Sequence, residues 1–201
     1  FTVGQYDTYQ AQSGNPFRDG KDPKLNVGLD AKIGITNDLT LDLTVNPDFG
    51  QVEADPGAIA LDGFQIFFRE QRPFFVENKN IFDFRFANGN DNLFYSRRIG
   101  RSPQLGASAP EGGHIKRPNN TTILGAAKFS GKTKNGWSLG LLESVTSGMY
   151  AQSDLNGQRT ETLVEPMTNY LVGRAQKDFN NRMSFLGAIF TATNRQSDPL
   201  A

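Results

Sequence analysis

Several residue types that often mark a functional site are scarce in this sequence. It has no cysteine, one histidine and one tryptophan, so disulfides, a thiolate nucleophile and cysteine-ligated metal sites are excluded. The histidine, His114, lies in a stretch rich in Gly and Pro, where we expect an exposed loop residue. The sequence therefore predicts neither a cofactor nor a metal site.

The sequence also has no excess of charge of either sign and no long apolar run. Lys plus Arg and Asp plus Glu both number 21, so no net field attracts nucleic acid, and no nucleic-acid partner is predicted. No apolar run approaches the roughly 20 residues of a membrane-spanning helix. The chain begins at Phe1 without a methionine or a signal peptide, so we expect a processed chain or a fragment.

Alternating apolar and polar residues are the strongest pattern present. In the stretch LTLDLTV, residues 39–45, every odd position is apolar and every even position is Thr or Asp. Because successive side chains of a strand point to opposite faces, the stretch predicts a strand with one apolar and one polar face. The predicted strands are residues 25–35, 38–46, 122–131, 136–146, 167–178 and 183–194, and the first nine residues are a further candidate.

The connections between these strands alternate in length. The tight turns are at residues 36–38, 134–136 and 179–182, and the long links are at about residues 10–24, 47–121 and 147–166. A transmembrane up-and-down barrel has short periplasmic turns and long outer loops. We therefore predict an all-β chain that forms an antiparallel up-and-down transmembrane β-barrel, and a soluble β-sandwich stays open as the alternative.

The barrel prediction carries two further expectations. The odd residues of 39–45 should face lipid and the even residues should face the lumen. Exposing the charge of Asp42 to hydrocarbon would be costly, so the register should be strongly fixed. We count about seven strands, whereas single-chain bacterial barrels have an even number from eight upwards. We therefore expect the barrel to be incomplete within these residues.

The link at residues 47–121 is too long to be a simple loop, since structureless connections beyond about 15 residues are uncommon in compact domains. It is rich in phenylalanine and can pack a core of its own. We predict a plug-like inserted segment, or an even number of additional strands. The chain then divides into first barrel strands at 1–46, the insert at 47–121 and further barrel strands at 122–201.

Acidic and basic residues are concentrated among the aromatics of the insert. Because arginine forms bidentate pairs with carboxylates, these residues predict a structural ion-pair network. They are also the candidate ligand-binding set, with arginine and aromatic faces meeting a sugar or an anion. A catalytic carboxylate pair needs a defined separation of two acids, and we assign no catalytic residue. The candidate ligand-binding residues are Asp48, Glu53, Asp55, Arg69, Glu70, Arg72, Glu77, Arg97, Arg98 and Arg101.

Five motifs in a fixed order carry a resemblance to a known family. They are LTLDLTVNPDFGQVEADP (39–56), FFREQRPFFVEN (67–78), LFYSRRIGR (93–101), ILGAAKFSGKTKNGWSLGLLESVT (123–146) and VEPMTNYLVGRAQKDF (164–179). The chain resembles, over about residues 25–195, a family of bacterial outer-membrane proteins known as a domain of unknown function. In the second motif, Arg69 stands where the familiar form of the family has proline. Full-length members usually carry an N-terminal domain like the family-9 carbohydrate-binding modules, followed by a large β-barrel.

The resemblance implies a protein of the bacterial outer membrane with lipid as a partner and a saccharide as ligand. The first hypothesis is a non-enzymatic β-barrel protein that acts in passage or capture of a ligand. Other outer-membrane or periplasmic proteins would be further partners. The alternatives are a cell-surface enzyme acting on glycans with carboxylates of residues 48–77, and a soluble β-sandwich binding module.

Overall fold

A computed structural model describes residues 2–47, 68–84 and 92–196, and within these ranges the chain is mainly antiparallel β-structure. The predicted all-β class is therefore confirmed. The strands are β1 (Thr2–Thr8), β2 (Lys21–Val27), β3 (Leu29–Gly34), β4 (Leu39–Val45), β5 (His114–Lys116), β6 (Ile123–Lys132), β7 (Trp137–Thr146), β8 (Met149–Leu155), β9 (Gln158–Glu165), β10 (Thr168–Phe179) and β11 (Ser184–Arg195).

Six of the strands form one sheet in the order β3-β4-β6-β7-β10-β11. All neighbours are antiparallel, and each strand pairs with the next sheet strand along the chain, so the sheet is an up-and-down meander. The turns at residues 35–38, 133–136 and 180–183 lie at one end of the sheet. Both long links leave from the other end, so the predicted alternation of connections is confirmed for these strands.

Two of the predicted elements are corrected by the structure. The single strand predicted at 25–35 is two strands, β2 and β3, which are separated at Gly28 and belong to different sheets. The link predicted at 147–166 contains the β8–β9 hairpin, which pairs with β5 in a three-stranded sheet. Its turn is Asn156-Gly157, with φ of 53° and 84°, and Asn-Gly is the dipeptide that such hairpins favour.

The six-stranded sheet is open in the part of the chain that the structure describes. β3 and β11 are its edge strands, and neither pairs with a further described strand. β4 pairs directly with β6, so the described part of the 47–121 link adds no strand between them. The described strands thus form an open sheet rather than a closed barrel.

Besides β5, the described part of the insert forms two four-residue helices, α1 (Pro73–Val76) and α2 (Lys79–Phe82), and a 3₁₀ turn at Ser96–Arg98. Pro73 occupies the first position of α1, where its fixed φ suits the helix and its missing N–H is not needed. Asn78, with a left-handed φ of 54°, separates the two helices. No helix in the described ranges is long and apolar enough to cross a membrane.

The core lies between the insert and the middle of the six-stranded sheet. Phe75 and Phe82 of the insert pack with Leu142 of β7 and Val172 of β10, and all four are less than a tenth exposed. Gly140 of β7 lets α2 approach the sheet, because Phe82 ring carbons lie 2.9 Å from the position that an added Cβ would take. The insert is therefore packed on one face of the sheet.

The two faces of this sheet have opposite character, and on the four middle strands, β4, β6, β7 and β10, the polar face is the one that is covered. Asp42 and Thr44 of β4 are 6% and 2% exposed beneath the insert, while Val45 beside them is 56% exposed. On the other face, Leu141 of β7 and Phe190 of β11 are 50% and 60% exposed. The predicted separation of odd and even residues of β4 is therefore confirmed, and the assignment of the apolar face to lipid stays a prediction.

We expect Gly140→Ala to lower the free energy of unfolding by about 1–3 kcal/mol, because its methyl group meets Phe82 and the helix must shift. Gly173→Ala in β10 is the matched control, since its added Cβ would lie 4.0 Å from the nearest atom, Cδ1 of Leu141. That substitution should change stability by less than about 1 kcal/mol. Urea unfolding of both variants measures the difference, and equal losses would show that Gly140 does not set the helix position.

Candidate functional site

A buried ion pair between Glu70 and Arg72 lies near the start of the first described part of the insert, residues 68–84. Arg72 donates from Nε to Oε1 of Glu70 at 2.7 Å and from Nη2 to Oε2 at 2.6 Å. This bidentate geometry is typical of strong arginine–carboxylate pairs. Both residues are less than a tenth exposed. Because Pro73 disfavours a helical conformation at the preceding residue, Arg72 is extended and its side chain lies next to that of Glu70.

The other polar groups of this pair are also bonded. Oε2 of Glu70 accepts a hydrogen bond from the hydroxyl of Ser96, and Oε1 accepts bonds from the backbone amides of residues 71 and 72. Arg72 donates to the carbonyl oxygens of Ile99 at 2.6 Å and Ser96 at 2.8 Å. Its guanidinium lies 4.2 Å from the ring centroid of Phe75. The pair therefore attaches residues 70–72 to the 3₁₀ turn at Ser96–Arg98, and its role is structural.

The protonation of Glu70 reflects the same contacts. Burial alone would raise the pKa of Glu70, but the hydrogen bonds and charge of Arg72, together with the Ser96 hydroxyl, outweigh burial and hold that pKa below its usual value. A general acid in glycoside hydrolysis needs a raised pKa instead. Glu70 therefore lacks the property that the enzymatic alternative requires of an acid.

Lys128 of β6 is the second attachment point between sheet and insert. Its ammonium group donates to the backbone carbonyls of Phe74 and Glu77, the latter at 2.9 Å, at the end of α1. The same group lies 3.3 Å from Oδ2 of Asp42 in β4. Nearby, Nδ2 of Asn78 donates to the hydroxyl of Ser130 at 3.0 Å. The polar face of the sheet is thus bonded to the backbone of the insert.

The structure places three of the other candidate residues in different surroundings. Glu77 is exposed and forms an ion pair with Lys32 of β3. Arg97 donates to the carbonyl oxygen of Arg69 at 2.9 Å, and Arg69 itself is exposed. Three candidates lie outside the described residues: Asp48, Glu53 and Asp55. Of the candidate acids in the described ranges, Glu70 pairs within the insert and Glu77 with the sheet, so they do not form a common site.

Arg98 and Arg101 come together with strand residues that the sequence did not single out. With Tyr170, Thr193 and Arg195 they line an open cavity of ≈ 460 Å³. Tyr170 and Thr193 are direct partners in the β10–β11 register, and Arg195 is the last residue of β11. The two groups are far apart in sequence, so their meeting follows from the packing of the insert on the sheet together with the β10–β11 register, and not from any local motif.

This cavity has the chemistry of an anion site. Guanidinium groups form charge-assisted, bidentate hydrogen bonds with oxyanions, and they remain charged at any physiological pH. Among the described residues, no group of three or more His, Asp and Glu side chains is placed to hold a metal ion. Of the predicted ligand-binding residues, the structure brings Arg98 and Arg101 into one cavity and uses Glu70 and Arg72 for packing.

An antiparallel sheet protein with a helical insert on its polar face is the class that this geometry defines. A family model described as Domain of unknown function (DUF5916) matches residues 6–199, so the chain belongs to that family. No match was found among curated proteins, and none among solved structures. The resemblance to a family of unknown function is thereby confirmed, and the outer-membrane barrel and the carbohydrate-binding-like domain stay predictions.

We expect Arg72→Ala to lower the free energy of unfolding by about 3–5 kcal/mol, because it leaves the Glu70 carboxylate buried without its partner. Lys32→Ala removes a cation from the exposed pair with Glu77 and should cost no more than about 1 kcal/mol. Urea unfolding of the two variants in one buffer makes the comparison. A loss for Arg72→Ala as small as that for Lys32→Ala would contradict a buried pair.

Stability should also depend on the ionisation of Glu70. Its pKa in the folded chain lies below the ordinary value of 4.5, so its contribution is fully present above that pH and is lost as the pH falls through the folded-state pKa. Glu70→Gln should therefore lose stability at neutral pH and converge on wild type in acid. Glu77→Gln, at an exposed site, should show no such convergence, and parallel curves for Glu70→Gln and wild type would refute the assignment.

Proposed function

We propose that the chain is the early part of an outer-membrane β-barrel, non-enzymatic, that acts in passage or capture of a ligand in a Gram-negative bacterium. The observation that carries the proposal is the inverted sheet. On its four middle strands the polar face is buried, with the insert packed on it, and the apolar face is uncovered in the described part of the chain. A soluble half-covered sheet buries the apolar face and leaves the polar face in water.

The uncovered face is apolar across all six strands. Outward positions follow from the strand register and include Leu, Val, Ile, Phe, Ala and Gly on neighbouring strands. Monomeric soluble proteins rarely expose a contiguous apolar patch of more than a few hundred Å². Its charged side chains, Glu143 and Lys177, lie within four residues of a strand end. Charged side chains are tolerated there because placing a charge near the membrane interface costs far less free energy than placing it at the bilayer centre.

The ends of the sheet also fit a membrane-spanning wall. Trp137, the only tryptophan, begins β7 beside the short turns and is 43% exposed. The ammonium of Lys177 lies 5.4 Å from its ring centroid. Aromatic girdles with lysine neighbours mark the interfaces of transmembrane barrels. We place the short turns on the periplasmic side and the long links outside.

A covered polar face then corresponds to a lumen that holds a plug-like insert. The insert is held on the sheet mainly by a buried lysine and packed phenylalanines, with one exposed ion pair beside them. Such a segment restricts the lumen and presents its own residues to solutes that enter from the long-link end. A saccharide as ligand is supported only by analogy with the family, as are outer-membrane or periplasmic proteins as partners.

The lone tryptophan tests the proposal directly. The full chain is inserted into phosphatidylcholine vesicles whose acyl chains carry bromine, which quenches nearby indole fluorescence. We expect strong quenching of Trp137, greater with bromine close to the headgroup than with bromine near the chain end, because Trp137 lies at the edge of the apolar face.

The control moves the indole to the opposite face by one residue, in the double variant Trp137→Phe with Ser138→Trp. Because neighbouring side chains of a strand point to opposite faces, this indole should be quenched weakly at every bromine depth. Equal quenching of both proteins, or none in either, would overturn the lipid assignment. A chain that remains monomeric without detergent and does not bind vesicles would favour the alternative of a soluble β-sandwich.

A further inference from the structure

The cavity of Arg98, Arg101 and Arg195 lies on the covered face of the sheet at the end from which the long links leave. Arg195 ends β11, and Tyr170 lies near the start of the neighbouring β10. The cavity volume of ≈ 460 Å³ is within the range of about 300–1,000 Å³ that small-molecule sites occupy. It is open to solvent among the described residues, so a solute reaches it without displacing the described part of the insert.

The arginines from the insert are presented by a firmly held backbone. Arg72 bonds to the carbonyl oxygens of Ser96 and Ile99, on either side of Arg98. The carbonyl oxygen of Arg101 accepts two bonds from Thr121, at 3.0 Å from the amide and 2.8 Å from the hydroxyl. The buried Glu70–Arg72 pair therefore fixes the segment from which both guanidinium groups extend.

The charged residues that line the cavity in the described part of the chain are three arginines and no acid. No ion pair joins Arg98, Arg101 or Arg195 to a carboxylate of the described residues. Nε of Arg101 is buried without a hydrogen-bond acceptor among the same residues. A carboxylate within electrostatic range of Tyr170, Glu165, accepts the backbone amide of Gln104 at 2.8 Å. Three guanidinium groups thus converge on one open space.

We infer that this cavity binds a ligand with at least two oxyanion groups, either phosphoryl groups or the carboxylates of an acidic sugar. Each guanidinium can hold an oxyanion through two parallel hydrogen bonds, and the three come from two separate segments, so one small anion does not satisfy all of them. The hydroxyls of Tyr170 and Thr193 add donors between them. The inference deepens the proposed function, on which it rests for the route by which a solute arrives.

Calorimetric titration of the full chain in detergent tests the inference with two probes, pyrophosphate and digalacturonate, and with uncharged lactose for comparison. We expect at least one of the two anions to bind and lactose to give no signal at this site. Arg98→Gln and Arg195→Gln should each weaken binding by about ten- to hundredfold, the range expected for loss of a charged hydrogen-bonding group. Binding of only one probe identifies the source of the oxyanions.

Arg182→Gln is the matched control, because it removes the same charge from an exposed turn at the opposite end of the sheet. It should leave affinity unchanged, and Arg195→Lys should fall between wild type and Arg195→Gln, since lysine keeps the charge but not the fork. The inference fails if neither anion binds, or if Arg182→Gln weakens binding as much as Arg98→Gln. Trp137 quenching of the same protein in the brominated vesicles shows separately whether the membrane proposal holds.

Discussion

One buried ammonium group holds the insert on the sheet, and the inverted arrangement of the two faces depends on it. Lys128 reaches from the polar face of β6 to two backbone carbonyls of the insert while it stays close to Asp42. An unpaired buried lysine would be expensive, so the charge is stable here only while helix, lysine and aspartate remain together. A polar sheet face thereby becomes an attachment surface for a short helical segment.

The Glu70–Arg72 ion pair also stabilises the insert through buried polar contacts. Glu70 and Arg72 form hydrogen bonds with each other, and Arg72 also donates to the backbone of the 3₁₀ turn. The turn that carries Arg98 is therefore fixed by two side chains that are engaged with the protein itself. In our proposal, packing and ligand binding are divided between neighbouring arginines. Arg72, which is buried, sets the geometry, and Arg98 and Arg101 offer their charge to the ligand.

Sequence reasoning recovered the strands whose alternation is strict and whose ends have turn residues, such as residues 39–45 and the Asn-Gly turn before β7. It predicted residues 25–35 as one strand because the alternation continues through Gly28. The strand ends there because β2 pairs with β1 whereas β3 pairs with β4, and the choice of a neighbouring strand depends on the tertiary structure. The ion pairs of the insert were predictable in kind from its mixed charges. The meeting of Arg101 with Tyr170 and Arg195 was not, because it requires the register of two distant strands.

The direct pairing of β4 with β6 constrains the order in which the chain folds. The two strands flank the whole connection that contains the insert, so their pairing must close a long loop, and the entropic penalty of closure grows with the logarithm of loop length. If α1 and α2 dock on β6 and β7 first, the remaining free chain is shorter. We therefore expect the insert to act as a folding template that brings β4 to its neighbour, a role separate from anything it does in the finished protein.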